Sequence, residues 1–329
     1  MSELHRFLFE GLPVRGVLVR LTDAWTPVLQ RRASNSSTGP YPAAVASMLG
    51  QMAAAATLMQ ANIKFDGALV LQIFGDGPVK VAVAEVQSDL SLRATATVGG
   101  EVLGEASLSE MVNVSNQGRC AITLDPKTKF PGQQPYQGVV PLFDDKGQPI
   151  DQISAVLEHY MLQSEQLDTK LVLAANETVA AGLLIQRLPL EGAGNLAGSM
   201  VSQRNEDEIG LNEHYNRIAL LASTLKPEEL LELDAQTLLR RLFWEESIRQ
   251  FEPLVGTSAP RFACSCSRER VGRMIVSLGQ QEVQGILSER ADIEVACEFC
   301  GLQYRFDPVD AAALFIGPVP MGLGGAQPH

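Results

Sequence analysis

The sequence has no long run of lysine and arginine, and its 26 basic residues stand against 38 acidic ones, for a formal charge of -12. A polyanion approaching such a chain meets net repulsion, so no nucleic-acid partner is expected. Histidine is scarce as well. The four present, His5, His159, His214 and His329, show no metal-ligand spacing and no catalytic motif. His159 falls in a stretch of helical periodicity and reads as a partly buried structural residue. The first residues, Met1-Ser2-Glu3-Leu4-His5-Arg6, lack the basic and apolar regions of a secretory signal, which makes a reducing cytoplasm the expected location. Phosphate-cradling loops are missing too. Gly75-Asp76-Gly77 has no helix to follow it, and the segment from Gly192 to Gly198 lacks the lysine and hydroxyl of a P-loop and has the wrong spacing for a dinucleotide fingerprint. One stretch without charge, from Pro42 to Ile63, is long enough to cross a bilayer. It is mostly alanine, with Ser47, Gln51, Thr57, Gln60 and Asn62 interspersed, so it reads as a buried helix of a globular core and no membrane partner is expected.

What is present is enough apolar material, 46% of 329 residues, for a substantial core. The run from Val14 to Leu21 is β-branched and reads as a strand. The segment from Lys64 to Val86 reads as a hairpin turning at Gly75-Asp76-Gly77-Pro78. Short β-prone runs follow at Leu92 to Val98, Val112 to Val114, Ala121 to Leu124 and Gln137 to Leu142. Helical periodicity returns from Asp151 to Leu162, with Asp151 placed to cap it, and a strand pair follows at Lys170 to Ala175 and Ala180 to Leu188. Glu191 to Gln203, rich in Gly, Ala, Asn and Ser, reads as a flexible surface loop. Beyond it the chain turns helical, in segments His214 to Leu225, Pro227 to Leu233 and Ala235 to Gln250. Their apolar stripe of Leu230, Leu231, Leu233, Leu238, Leu239, Leu242, Phe243, Trp244 and Ile248 requires cover.

The chemistry sits in cysteine. Cys264 and Cys266 form a C-x-C pair, Cys297 and Cys300 a C-x-x-C pair, and thirty residues separate them. Two close thiolate pairs on separate turns are what a tetrahedral Zn²⁺ site needs, and Gly301 lets the backbone turn beneath the second pair. A merely structural zinc ribbon is one reading. The other is a redox switch, because cysteines two or three residues apart reach bonding distance, although a C-x-C bridge is strained, and a zinc-bound thiolate remains open to oxidants. Arg268, Arg270 and Arg273 stand beside the first pair, where they either offset its charge or form a solvated helix start. Ile275, Val276, Leu278, Val283, Ile286 and Leu287 are the expected small core of this module. The fifth cysteine, Cys120, precedes a strand-like run and reads as a core thiol.

The fold class expected is α+β. A strand-rich N-terminal domain around a buried helix (1–195) precedes a helical linker region (196–257), a small four-cysteine zinc module (258–315) and a disordered tail (316–329). The residues Lys64-Phe65-Asp66-Gly67, Gly75-Asp76-Gly77-Pro78, Tyr136-Gln137-Gly138-Val139-Val140, Ser164-Glu165-Gln166-Leu167 and Glu228-Glu229-Leu230-Leu231, with Cys264-Ser265-Cys266-Ser267-Arg268-Glu269-Arg270 and Cys297-Glu298-Phe299-Cys300-Gly301, resemble the 33 kDa heat-shock protein family. The resemblance covers nearly the whole chain. It implies a cytoplasmic, ATP-independent holdase chaperone rather than an enzyme, inactive while reduced with one Zn²⁺ on Cys264, Cys266, Cys297 and Cys300. It further implies that oxidation with unfolding stress pairs Cys264 with Cys266 and Cys297 with Cys300, releases zinc and unfolds the module and linker, in a commonly homodimeric active state. Unfolding client proteins are the implied partners, and Leu238, Leu242 and Phe243 of the stripe are the expected client-binding residues, under cover that the zinc module helps provide. The rival classes are a thiol-disulfide oxidoreductase, which needs a thioredoxin-like context around Cys297, and a zinc-ribbon adaptor whose binding ignores oxidation.

Overall fold

The computed structural model describes residues 1–35, 38–128, 130, 132–188 and 213–316; the Gly-rich loop at 191–203 and the tail beyond 316 lie outside them. The fold is α+β, as expected, and divides into two compact units, Met1–Ala263 and a second beginning at Cys264.

The first unit runs β1 (Glu3–Phe9), β2 (Val14–Leu21), α1 (Thr26–Ala33), α2 (Ala43–Asn62), β3 (Gly67–Phe74), β4 (Val79–Gln87), β5 (Ser91–Val98), α3 (Leu108–Val112), β6 (Arg119–Pro126), β7 (Tyr136–Pro141), α4 (Ile153–Glu165), β8 (Thr169–Ala175) and β9 (Ala180–Arg187). It continues through α5 (213–223), α6 (Pro227–Glu232), α7 (Ala235–Leu242), β10 (Ile248–Gln250) and β11 (Arg261–Phe262). Two sheets result. An antiparallel one has the order β10-β1-β2-β9-β8, and a six-stranded one the order β11-β5-β4-β3-β6-β7, parallel only at β11–β5.

The uncharged stretch is α2, buried between the two sheets with Val45, Leu49, Met52, Ala54, Ala55 and Leu58 fully enclosed. Its small residues permit the approach: a Cβ on Gly50 would lie 2.5 Å from the Ala175 Cβ. The five-stranded sheet is buried on its other face as well. There Phe7, Phe9, Val14, Leu18, Leu183 and Ile185 meet Tyr215, Ile218, Leu225, Leu230, Leu238, Leu239 and Phe243 of the helical segment. Burial on both faces is why β9 reads as a continuous apolar run instead of an alternating one.

The structure departs from expectation at several points. The helix begun at Ala235 stops at Leu242, and Ile248–Gln250 is an edge strand whose Ile248 and Gln250 pair with Phe9 and Phe7. Backbone pairing beyond that strand, Glu10 N–H to Ser247 O at 2.8 Å and Phe251 N–H to Arg6 O at 2.9 Å, satisfies β1's outer edge. Trp244 leaves the stripe altogether and is 75% exposed. Val112 closes a helix rather than opening a strand, because Ser107 and Glu110 form a capping box. Asp151 does not cap α4 with its side chain; its carboxylate accepts from the Ser109 N–H at 3.0 Å. The buried members of the stripe pack on the sheet face of their own unit.

The second unit consists of α8 (Arg268–Leu278), α9 (Gln280–Glu289), the hairpin β12 (Ile293–Ala296) and β13 (Gln303–Phe306), and α10 (Pro308–Ile316). Its core is small: Ile275, Val283, Ile293, Tyr304, Phe306 and Ala311. Ile286 and Leu287 pack at its margin, whereas Val276 and Leu278 are exposed, outside the core expected of them.

Candidate metal centre

Two backbone devices present the four thiols. Before α8, Ser267 accepts a hydrogen bond from the Arg270 N–H at 3.2 Å, fixing the turn that carries Cys264 and Cys266. Between β12 and β13, the Cys297 N–H donates to Leu302 O at 2.9 Å and the Gly301 N–H to Cys297 O at 2.7 Å. Gly301 takes φ +67°, a left-handed conformation that suits a residue without Cβ. The result is a knuckle at the tip of an antiparallel hairpin, not the βαβ setting an oxidoreductase would need.

These turns bring the four Sγ atoms within 4.8 Å of one another. Two contacts cross between the two motifs, Cys264 to Cys297 at 3.7 Å and Cys266 to Cys300 at 3.3 Å. Tetrahedral zinc thiolates with bonds of about 2.3 Å place their sulfurs about 3.8 Å apart, so the observed spacing fits such an ion with little adjustment. Cys300 is buried and the other three are half-buried, so the site is sheltered from bulk water on one side and reachable from the other.

Without a cation four thiols this close cannot all ionise, and their surroundings rank them. Burial raises the Cys266 thiol, but hydrogen bonds from Tyr304 and from the other cysteines outweigh it and bring the group down to about 7. Cys297 and Cys300 are pushed up, chiefly by burial, so they hold their protons longest. The Tyr304 hydroxyl donates to the Cys266 Sγ at 3.2 Å. Sequence reasoning passed over this residue. The signal for it was positional: four residues beyond Cys300 on a β-strand, in alternation with Phe306, which is also buried.

Arg268 and Arg270, beside the first pair, each have hydrogen-bond partners. Arg268 bonds Asp310 at 2.6 Å and the Arg305 carbonyl at 2.7 Å, with its guanidinium 4.2 Å from the Phe306 ring centre. Arg270 bonds the carbonyl and hydroxyl of Ser265. Arg270 therefore braces the turn of the first pair and Arg268 ties the start of α8 to β13 and α10, while Arg273 lies within α8. Cys120 lies far down the sequence in β6, 2% exposed, its thiol pushed up to about 12 by burial. Leu238 and Phe243 are buried beneath the helical layer, 1% and 2% exposed, and Leu242 packs at its edge. No helix among the described residues is long and apolar enough to cross a membrane.

The sequence model of one protein family, described as Hsp33 protein, matches residues 2–307. The 33 kDa chaperonin of Chromobacterium violaceum is 44% identical over 314 residues, 95% of this chain and 94% of that one. The 33 kDa chaperonin of Methylobacillus flagellatus is 41% identical over 323 residues, 97% of this chain and 96% of its own. The crystal structure of the 33 kDa chaperonin (heat shock protein 33 homolog) from Thermotoga maritima superposes over 95% of this chain and 98% of that one, with a TM-score of 0.70. At 19% identity, that likeness is one of fold alone. With a family match spanning nearly all of its length and full-length relatives above 40% identity, the chain belongs to the Hsp33 protein family.

Proposed function

We propose that this chain is an ATP-independent chaperone that binds unfolding proteins and is switched on by oxidation of its four clustered cysteines. The observation that carries the reading is the convergence of four Sγ atoms within 4.8 Å in a unit whose core, among the described residues, is six buried side chains. Cys264, Cys266, Cys297 and Cys300 would hold one Zn²⁺. When bound, the ion would offset half the charge of the four thiolates and tie the segment before α8 to the β12–β13 knuckle. Such a site contributes roughly 10–16 kcal/mol to a small module, whereas a disulfide closing a very short loop contributes on the order of 2–3 kcal/mol. Exchanging one for the other leaves the second unit without enough to stay folded.

The chemistry balances with peroxide as the oxidant. A thiolate attacks one peroxide oxygen, the O–O bond breaks, and hydroxide departs to leave a sulfenic acid. The second thiolate attacks that sulfur and expels another hydroxide, so two electrons pass from two sulfurs to one peroxide for each disulfide. Pairing matters here. A bridge between Cys264 and Cys297, or Cys266 and Cys300, would keep the two segments tied. Bridges Cys264–Cys266 and Cys297–Cys300 sever that tie, and therefore suit a switch that works by unfolding. The apolar residues then exposed would include those of the helical segment 213–243, with Leu238, Leu242 and Phe243 as client contacts. A homodimer in the activated state and a cytoplasmic location complete the proposal.

The experiment measures zinc release and suppression of client aggregation on one sample, before and after peroxide with mild heat. Both are expected to rise together. Suppression that does not change on oxidation overturns the switch and favours a plain zinc-ribbon adaptor.

A further inference from the structure

Arg20 lies on β2, on the same face of the five-stranded sheet as Val14 and Leu18, whose side chains pack under the helical layer. Its guanidinium reaches across to that layer and donates to three main-chain carbonyls in succession. Nη1 bonds Leu230 O at 2.8 Å and Leu233 O at 2.9 Å, and Nη2 bonds Leu231 O at 2.9 Å. Nε faces the Glu3 carboxylate at 3.9 Å, and the arginine side chain is only 15% exposed.

These carbonyls belong to the C-terminal end of α6 and the turn into α7. Helix α6 has six residues, too few to hold its conformation alone, and its last turn carries no basic residue. The C-terminal carbonyls of a helix lack internal partners and lie at the negative end of its dipole, so they call for a donor and a cation. Here one guanidinium supplies both, from a sheet some two hundred residues earlier in the chain. Directly after Leu233, Asp234 caps α7 by accepting from the Thr237 N–H at 3.0 Å, and α7 carries Leu238 and Leu242, with Phe243 at its end. The turn under Arg20 is thus the joint between two helices.

We infer that Arg20 is the positioning residue that pins the α6–α7 joint to the sheet and so sets how readily both helices leave it. That second consequence rests on the proposal above that these helices engage clients once released. Arg20 would then determine how much unfolding stress activation requires. The residue takes part in neither the thiol site nor its oxidation.

The test uses the full, zinc-loaded, reduced protein with Arg20→Met, which keeps the aliphatic stem and removes every donor, and Arg20→Lys, which keeps the charge but not the fork. Amide hydrogen exchange is followed in 228–243 and, as reference, in β2 and β9, alongside suppression of client aggregation without oxidant. In Arg20→Met, exchange across 228–243 should speed up about tenfold or more while the reference strands stay protected, and suppression should appear at milder heat or without peroxide. Arg20→Lys should fall between. Unchanged exchange in Arg20→Met overturns the pin, as does equal loosening of β2 and β9, which would make Arg20 an ordinary member of the sheet. Faster exchange at the joint with an unchanged need for oxidant leaves the pin standing and overturns the client-binding reading of the helices.

Discussion

The two units of this chain solve the folding problem by different means. The first buries α2 between two sheets and covers the outer face of one sheet with helices, so its stability is spread over many apolar side chains such as Leu49, Met52, Leu71, Val86 and Leu184. The second has, among its described residues, a core of six buried side chains, with four thiols within 4.8 Å beside it. Distributed burial cannot be removed by one reagent, but a cohesion vested in thiol chemistry can. The contrast teaches that cohesion in this chain is distributed unevenly: the proposed switch acts where it rests on a few thiols rather than on a broad apolar core.

The largest effect should come from taking the metal away. If the quartet holds zinc as proposed, chelation under reducing conditions should remove roughly 10–16 kcal/mol from the smaller unit. Hydrogen exchange in α8, α9 and the β12–β13 hairpin should then approach the unfolded rate, with the strands around α2 unaffected. If the second unit keeps its protection without metal, its small core suffices and the contrast between the units fails.

Next in size is the helical layer itself. Replacing Leu238, Leu242 and Phe243 by serine removes large side chains from a buried cluster in which the Phe243 ring stands edge-on to Phe9, 5.1 Å between centres. Emptying such a site costs about 3–5 kcal/mol for the phenylalanine alone. The reduced protein should lose protection over 213–243, and the oxidised protein should lose suppression of aggregation. Intact suppression by the oxidised triple variant would show that clients bind elsewhere.

How far these features could be read from the sequence depends on whether their causes are local. The thiol quartet was legible because ligand chemistry fixes residue type and spacing, and α2 because twenty residues without charge have few other uses. The β3–β4 hairpin announced itself through its Gly-Asp-Gly-Pro turn. By contrast, β10 was read as helix because Ile248 continues a helical stripe, and only the unpaired outer edge of β1 makes it a strand. The sheet residues that pack against that stripe belong to strands far earlier in the chain, so no local pattern shows them. Arg20 and Tyr304 act on partners 213 and 38 residues away, and no local pattern encodes such a meeting.

A smaller effect tests the surroundings of the thiols. Tyr304→Phe deletes the hydroxyl that donates to Cys266 and leaves the ring in the core. Loss of an outer-shell hydrogen bond lowers metal affinity about 10–100-fold, which competition with a chelator would measure. In the metal-free reduced protein the Cys266 thiol, held down near 7, should move back up. Alkylation at a pH just above 7 should then slow, because less of the thiol is ionised. Unchanged affinity and alkylation in the variant would reduce Tyr304 to a packing residue.

The smallest effect expected is at Cys120, and it marks the boundary between the units. Its thiol is 2% exposed and pushed up to about 12 by burial. A group whose pKa is raised in this way stays protonated near neutral pH, so only on the order of one molecule in a hundred thousand carries the thiolate that an electrophile needs. After chelation, then, a small alkylating reagent should modify Cys264, Cys266, Cys297 and Cys300 promptly and leave Cys120 untouched until denaturant opens the first unit. Cys120→Ala should change neither the metal content nor the number of promptly reactive thiols, since this residue is buried in the sheet of the first unit. Prompt reaction of Cys120 alongside the four would carry a larger message than its own reactivity: loss of the metal would have loosened the sheet that carries β6, and the robust unit would be coupled to the labile one.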